Sequence, residues 1–151
     1  MKNYVCSSFG HRDIQPDMNI LNSTLESLIL TKKINIFITG GMGIFDSCFT
    51  SSVKKLKQKY PHIKLFLIKP YFSSELNKNK EYYTSQYDDI IIPESLAFIH
   101  PKSAIYERNK WMIDNSDIVV FNIQHNYGGA YKAFEYSVRT GKNIINIYNK
   151  Y

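Results

Sequence analysis

Two glycine-rich turns and a handful of charged side chains hold the residue types that could do chemistry in this sequence. Thr39-Gly40-Gly41-Met42-Gly43-Ile44-Phe45-Asp46 follows an apolar, β-branched run and opens an amphipathic one. Glycines let main-chain N–H groups approach an anion, and the first turn of a helix adds partial positive charge. The alternative is a tight strand-to-helix turn with no ligand. Gly128-Gly129, followed by Ala130, starts a second such helix, whose free N–H groups can take a second anion. Arg108 offers a guanidinium fork that binds phosphate through two parallel bonds, a geometry lysine does not reproduce. Its alternative is a surface salt bridge with Glu107 or Asp114. Glu135, six residues after Gly129, is either a reacting carboxylate or a surface acid. His11 and Arg12, after Gly10, either contact a ligand or close a turn.

Other chemistries find less support. No GxxxxGK[ST] motif occurs, so there is no P-loop. Gly41-Met42-Gly43-Ile44-Phe45-Asp46 puts Asp where a dinucleotide fingerprint has its third Gly. Lys69 and Pro70 stand where such a fold has its ribose-binding acid, so NAD-type dehydrogenation is set aside. His62, His100 and His125 form neither HxxxH nor HExxH, and the expectation is no metal. Ser7, Ser8, Ser47 and Cys48 have no evident paired base for nucleophilic catalysis.

The elements that position these residues alternate in type. Strands are expected at 4–8, 34–39, 64–68, 90–92, 118–122 and 143–148. Helices are expected at 18–32, 46–60, 79–87, 103–115 and 129–140, the last closed by Gly141. The stretch 71–103 is the least regular and could hold a mobile loop over the site. Alternating strands and helices mean βαβ units, a parallel sheet and right-handed crossovers with helices on both faces. The expected fold is α/β, a Rossmann-like three-layer sandwich with a mainly parallel sheet of about five strands. Ligands bind such sheets at the carboxyl ends of the strands. The segments around 10, 41, 108 and 129 all fall at that edge, and their convergence there argues for a site independently of any single motif.

The chain of 151 residues is the size of one domain, read here as residues 1–151, and its 44% hydrophobic content excludes a disordered chain. Two cysteines, without a CxxC pair, exclude a disulfide scaffold. No apolar run is long enough for a membrane span, and the start turns polar too soon for a signal peptide, so a cytoplasmic protein with no membrane partner is expected. A net charge of +6 favours anionic partners. Without a helix-turn-helix, zinc-finger or RNP pattern, nucleic acid is taken as an unlikely partner. Lys54, Lys55, Lys57 and Lys59 are assigned instead to the negative end of a helix dipole. Twelve Tyr, nine Phe and one Trp are many for a monomer of this size, so a homo-oligomer, a dimer, is expected.

At these same residues the sequence resembles the SLOG superfamily (SMF/DprA–LOG), nearest its YpsA-like, DUF1273-type branch. Phe9-Gly10-His11-Arg12 resembles that branch's opening TGHR, and the 39–46 loop resembles its glycine loop ending in Asp. Tyr106-Glu107-Arg108-Asn109, leading to Asn115-Ser116-Asp117, resembles its RN…DxSD segment. Gly128-Gly129-Ala130 with Tyr136 resembles its GGT…Y helix start. The resemblance implies a single SLOG-like domain that binds a nucleotide or nucleotide-derived ligand, as a sensor of a signalling nucleotide. The implied ligand-binding residues are Gly10, His11, Arg12, Thr39, Gly40, Gly41, Met42, Gly43, Asp46, Arg108, Asn109, Gly128, Gly129 and Ala130. Resemblance to the LOG enzymes implies the alternative, release of a base from a nucleoside 5′-monophosphate, with Arg108 and Glu135 catalytic and no cofactor. A nucleoside deoxyribosyltransferase is a more distant match. Asn109, Tyr127, Tyr131 and Lys132 depart from the LOG signature, which weakens hydrolysis more than binding.

Overall fold

A computed structural model describes residues 2–149. Its six strands are β1 (Val5–Gly10), β2 (Ile36–Thr39), β3 (Lys64–Ile68), β4 (Asp89–Ile91), β5 (Ile118–Asn122) and β6 (Asn143–Asn146). They form one sheet in the order β4-β3-β2-β1-β5-β6, and every pairing is parallel. The expected sandwich is therefore present, with six strands in a wholly parallel sheet.

The helices are α1 (Met18–Thr31), α2 (Ile44–Lys59), α3 (Ser74–Lys78), α4 (Lys80–Gln86), α5 (Pro101–Asp114) and α6 (Gly129–Arg139). Cys6, Phe37, Leu65 and Val120 face α1 and α2, where Leu21, Leu25, Phe45, Phe49 and Val53 complete one core. Phe9, Ile38, Ile68, Val119 and Phe121 face α5 and α6 and pack with Met112, Ile113 and Ala133. This division follows the two-residue period of a strand, which sends successive side chains to opposite faces.

Local chemistry accounts for the shifted boundaries. Asp17 caps α1 by accepting from the Ile20 N–H at 3.1 Å. α5 starts at Pro101, two residues early, because proline suits a first helical position and the His100 Nδ1 accepts from the Lys102 N–H at 3.1 Å. The expected 79–87 helix is α4, and α3, a short helix the sequence reading did not place, precedes it across Asn79 (φ −115°, ψ 35°), which interrupts the turn. β6 stops at Asn146, whose side-chain amide bonds both the N–H and the carbonyl of Ile123, at 3.0 and 3.1 Å. Gly141 takes the left-handed conformation (φ +72°) that closes α6. Of the four assigned lysines, Lys57 and Lys59 lie in the last turn of α2, and each forms an ion pair, with Asp88 and Glu26 respectively.

No helix among the described residues is long and apolar enough to cross a membrane.

Candidate functional site

The chain leaves β1 toward β2, β3 and β4, then returns to β1's other side as β5 and β6. Such a reversal opens a crevice beyond the carboxyl ends of the two central strands. Here that crevice is a cavity of about 420 Å³. Gly10, His11 and Arg12 enter it from the end of β1, and Gly40, Met42 and Asp46 from the glycine turn and α2. Arg108 and Asn109 enter from α5, and Gly128, Gly129 and Ala130 from the start of α6. The four segments brought together by the edge argument thus share one space. No residue between 71 and 103 lines it.

Three candidates sit beside the cavity. Thr39 is buried, and its Oγ1 accepts from the Gly41 N–H at 3.2 Å. Gly41 (φ +67°) has its Cα against Leu67, where a Cβ would meet Cδ1 at 2.6 Å. Gly43 (φ +93°) is the first residue before α2 and lies so close to Arg12 that a Cβ would stand 2.6 Å from its Cα. These residues shape the turn. Glu135 is exposed on α6 and does not line the cavity.

Arg108 bonds main-chain carbonyls rather than a surface acid. It is 3% exposed, and its Nη1 donates to the Ile68 carbonyl at 3.0 Å and the Gly40 carbonyl at 3.3 Å. Its Nε donates to Asn109 Oδ1 at 3.0 Å, and its Nη2 meets the Met42 sulfur at 3.4 Å. The surface acids pair elsewhere, Glu107 with Lys110 and Asp114 with the Tyr136 hydroxyl. Burial, with help from Arg12, lowers the Arg108 pKa to about 10, against the pull of Asp46, so it stays cationic at neutral pH. Arg108 therefore fixes the glycine turn to β3 while also lining the cavity.

Asp46 accepts from the Met42 N–H at 2.8 Å and so orients the same turn. Burial raises its carboxyl pKa to about 6, although the Met42 bond and the charges of Arg108 and Arg12 act downward. His11 is buried, and its Nε2 accepts from the Gln124 N–H at 3.3 Å. Its pKa is lowered by burial and by His125, opposed by Asp13. At α6, Gly128 (φ +93°) stands at the cap position with no side-chain bond to the first turn, and beyond the adjoining chain nothing lies within 4 Å of a Cβ placed on Gly128 or Gly129.

Phe9, Asp13, Ile105, His125 and Tyr127 also line the cavity and were not among the expected ligand residues. His125 stacks on His11 (3.4 Å between ring centroids, 20° between planes), and Tyr127 stacks on His125 (3.9 Å, 16°). The available signal was that the two aromatic residues of this loop stand two positions apart, just before Gly128. Among the described residues no cluster of three or more His, Cys, Asp or Glu is arranged to hold a metal ion.

No curated protein sequence matches the chain. Three solved structures share its fold. DNA processing protein A from Helicobacter pylori, described by its single-stranded DNA binding mode, has a TM-score of 0.62 at 16% identity, over 93% of this chain and 63% of that one. DNA processing protein A from Streptococcus pneumoniae has a TM-score of 0.66 at 12% identity, over 94% and 49%. A molybdenum cofactor binding protein from Rippkaea orientalis has a TM-score of 0.61 at 16% identity, over 97% and 77%. The chain spans about half to just under two thirds of the DNA processing proteins it resembles.

The first likeness corrects the expectation that nucleic acid is an unlikely partner. That expectation rested on missing helix-turn-helix, zinc-finger and RNP patterns, which mark other folds. A protein with this one is described as binding single-stranded DNA, so the exclusion does not stand. The motifs noted at both glycine turns and around Arg108 fall within residues 9–147, the stretch matched by the YspA SLOG family model, and this chain belongs to that family.

Proposed function

We propose that the cavity binds a nucleotide or nucleotide-derived ligand, with its phosphate at the start of α6. The observation that carries this reading is the open first turn at Gly128–Ala130, without a side-chain cap, in the same cavity as Arg12 and Arg108. Unpaired N–H groups at a helix start favour an anion, and a cation across the cavity adds to that preference. A +6 chain supports the same sign of ligand. Signal sensing is the role assigned, because the acid expected to react, Glu135, lies away from the cavity.

Calorimetric titration with AMP, ADP-ribose, inorganic phosphate and a short single-stranded oligothymidylate tests the reading. Saturable binding of a nucleotide, with no free base found by chromatography, is expected for wild type and Glu135→Gln alike. Tight binding of the oligonucleotide alone would transfer the site to nucleic acid. Steep weakening by salt would accompany that outcome.

A second reading, hydrolysis of an N-glycosidic bond, has one observation in its favour. Asp46 lines the cavity with a pKa of about 6, in the range useful for proton transfer near neutral pH. Base release by wild type but not by a folded Asp46→Asn protein would establish it. Self-association belongs to the proposal as well. The rings of Phe72 and Phe98 are exposed, and light scattering on the eluting protein measures the association.

A further inference from the structure

The loop after β5 carries a feature that anion binding leaves unused. His11, His125 and Tyr127 form a continuous stack of three nearly parallel rings, spaced 3.4 and 3.9 Å apart at their centroids. The stack is graded in exposure. His11 is 5% exposed and is held by the Gln124 N–H, whereas Tyr127 is 67% exposed. All three rings line the cavity. Tyr127 has a ring against one face only among the described residues. It is also the residue immediately before Gly128, so the open face of the stack adjoins the open turn of α6.

Parallel aromatic rings attract through dispersion and offset quadrupoles, and a free outer face extends such a stack to any planar heterocycle. An anchored inner ring lowers the ordering cost of the outer ones. We infer that Tyr127 is the seat of a planar aromatic ring in the ligand, so that the ring stacks on Tyr127 while the ligand's anionic group meets the first turn of α6. This rests on the nucleotide-binding reading and adds to it. The ligand class narrows to molecules that combine a flat heterocycle with a phosphate or similar anion. A bare sugar phosphate satisfies one half of the site. Stacking reads the ring's face and not its edge, so selection among bases at this seat is weak.

The test compares AMP, GMP, ribose 5-phosphate and inorganic phosphate by calorimetry on wild type, Tyr127→Phe and Tyr127→Ala. Tyr127 is exposed, so the alanine variant should fold, and its thermal midpoint checks this. Wild type is expected to bind AMP and GMP with similar affinity and ribose 5-phosphate more weakly. Tyr127→Ala should lose roughly 5- to 150-fold for both nucleotides, the range that base–aromatic stacking spans, while ribose 5-phosphate changes less than about twofold. Tyr127→Phe should keep nucleotide affinity. The fluorescent etheno derivative of AMP gives an independent readout: its emission should be quenched by wild type and by Tyr127→Phe but not by Tyr127→Ala.

Equal loss of nucleotide and sugar phosphate in Tyr127→Ala would make Tyr127 a shaping residue and overturn the ring seat. So would equal wild-type affinity for AMP and ribose 5-phosphate, although anion binding at α6 would then survive. Failure of every probe to bind would remove both the seat and the nucleotide reading.

Discussion

The Arg108 guanidinium donates to the main-chain carbonyl of Ile68 at 3.0 Å, tying α5 to the end of β3. The same Nη1 reaches the Gly40 carbonyl, so a single side chain fixes the level of two strand ends. Removing it strands buried acceptors, each costing about 1–3 kcal/mol. Arg108→Ala should therefore lower unfolding free energy by about 2–4 kcal/mol in urea. Arg108→Lys should fall between, since an ammonium lacks the fork that serves several partners at once. A loss below about 0.5 kcal/mol for Arg108→Ala would refute this assignment.

Asp46 makes stability depend on pH in an unusual direction. Its carboxyl ionises at about 6 in the folded chain against 3.8 ordinarily, so the folded state holds the proton more tightly between those values. Stability from this group accordingly falls as pH rises from about 4 to about 6, by roughly 3 kcal/mol at most. Asp46→Asn keeps an acceptor for the Met42 N–H and removes the titration. Urea unfolding at pH 4, 5, 6 and 7 should show the wild-type-minus-variant difference declining across that window. A difference independent of pH would show that Asp46 ionises as it does in water.

His11 should act with the opposite sign. Its folded pKa lies below the ordinary 6.5, so its contribution is in place above 6.5 and is lost as pH falls from there through the folded value. The Nε2 that accepts from Gln124 would become a donor facing a donor on protonation. Proton NMR of the imidazole resonances should find His11 titrating below 6.5, with its shift accompanied by movement of the Gln124 amide signal.

The two glycine turns should answer alanine differently. Gly43→Ala places a methyl against Arg12 at positive φ and is expected to cost about 1–3 kcal/mol, with Arg12 displaced. Gly129→Ala meets open space in the first turn of α6 and should leave the thermal midpoint within a few degrees. It should nevertheless weaken phosphate-bearing ligands, because the methyl projects from the turn assigned to the anion. Matching destabilisation by both changes would mean that α6 starts in a more crowded place than the geometry gives.

Much of this arrangement was legible in the residues. Strand and helix periodicity placed all six strands and most helices, and two of them, β3 and β5, at their observed ends. Residue order along the chain was enough to gather the segments around Gly10, Gly41, Arg108 and Gly129 at one sheet edge. What escaped it was orientation. Arg108 does line the cavity, but its bonds to the Gly40 and Ile68 carbonyls were not legible, because those residues lie 68 and 40 positions away in the chain. Glu135 matched a spacing, yet spacing along a helix does not fix which way the side chain points. His125 looked scattered because its partner His11 is far off in the chain, and only the parallel pairing of β1 with β5 brings the two rings together.

The bare start of α6 has a kinetic side. A first turn whose amides have no acceptor opens more readily than one closed by a serine or aspartate hydroxyl or carboxylate. Its main-chain protons should therefore exchange with solvent faster than those at the Asp17-capped start of α1, and an occupying anion should slow them selectively. Deuterium uptake at the opening of α6 thus becomes a local gauge of occupancy, usable on crude mixtures before the natural ligand has a name.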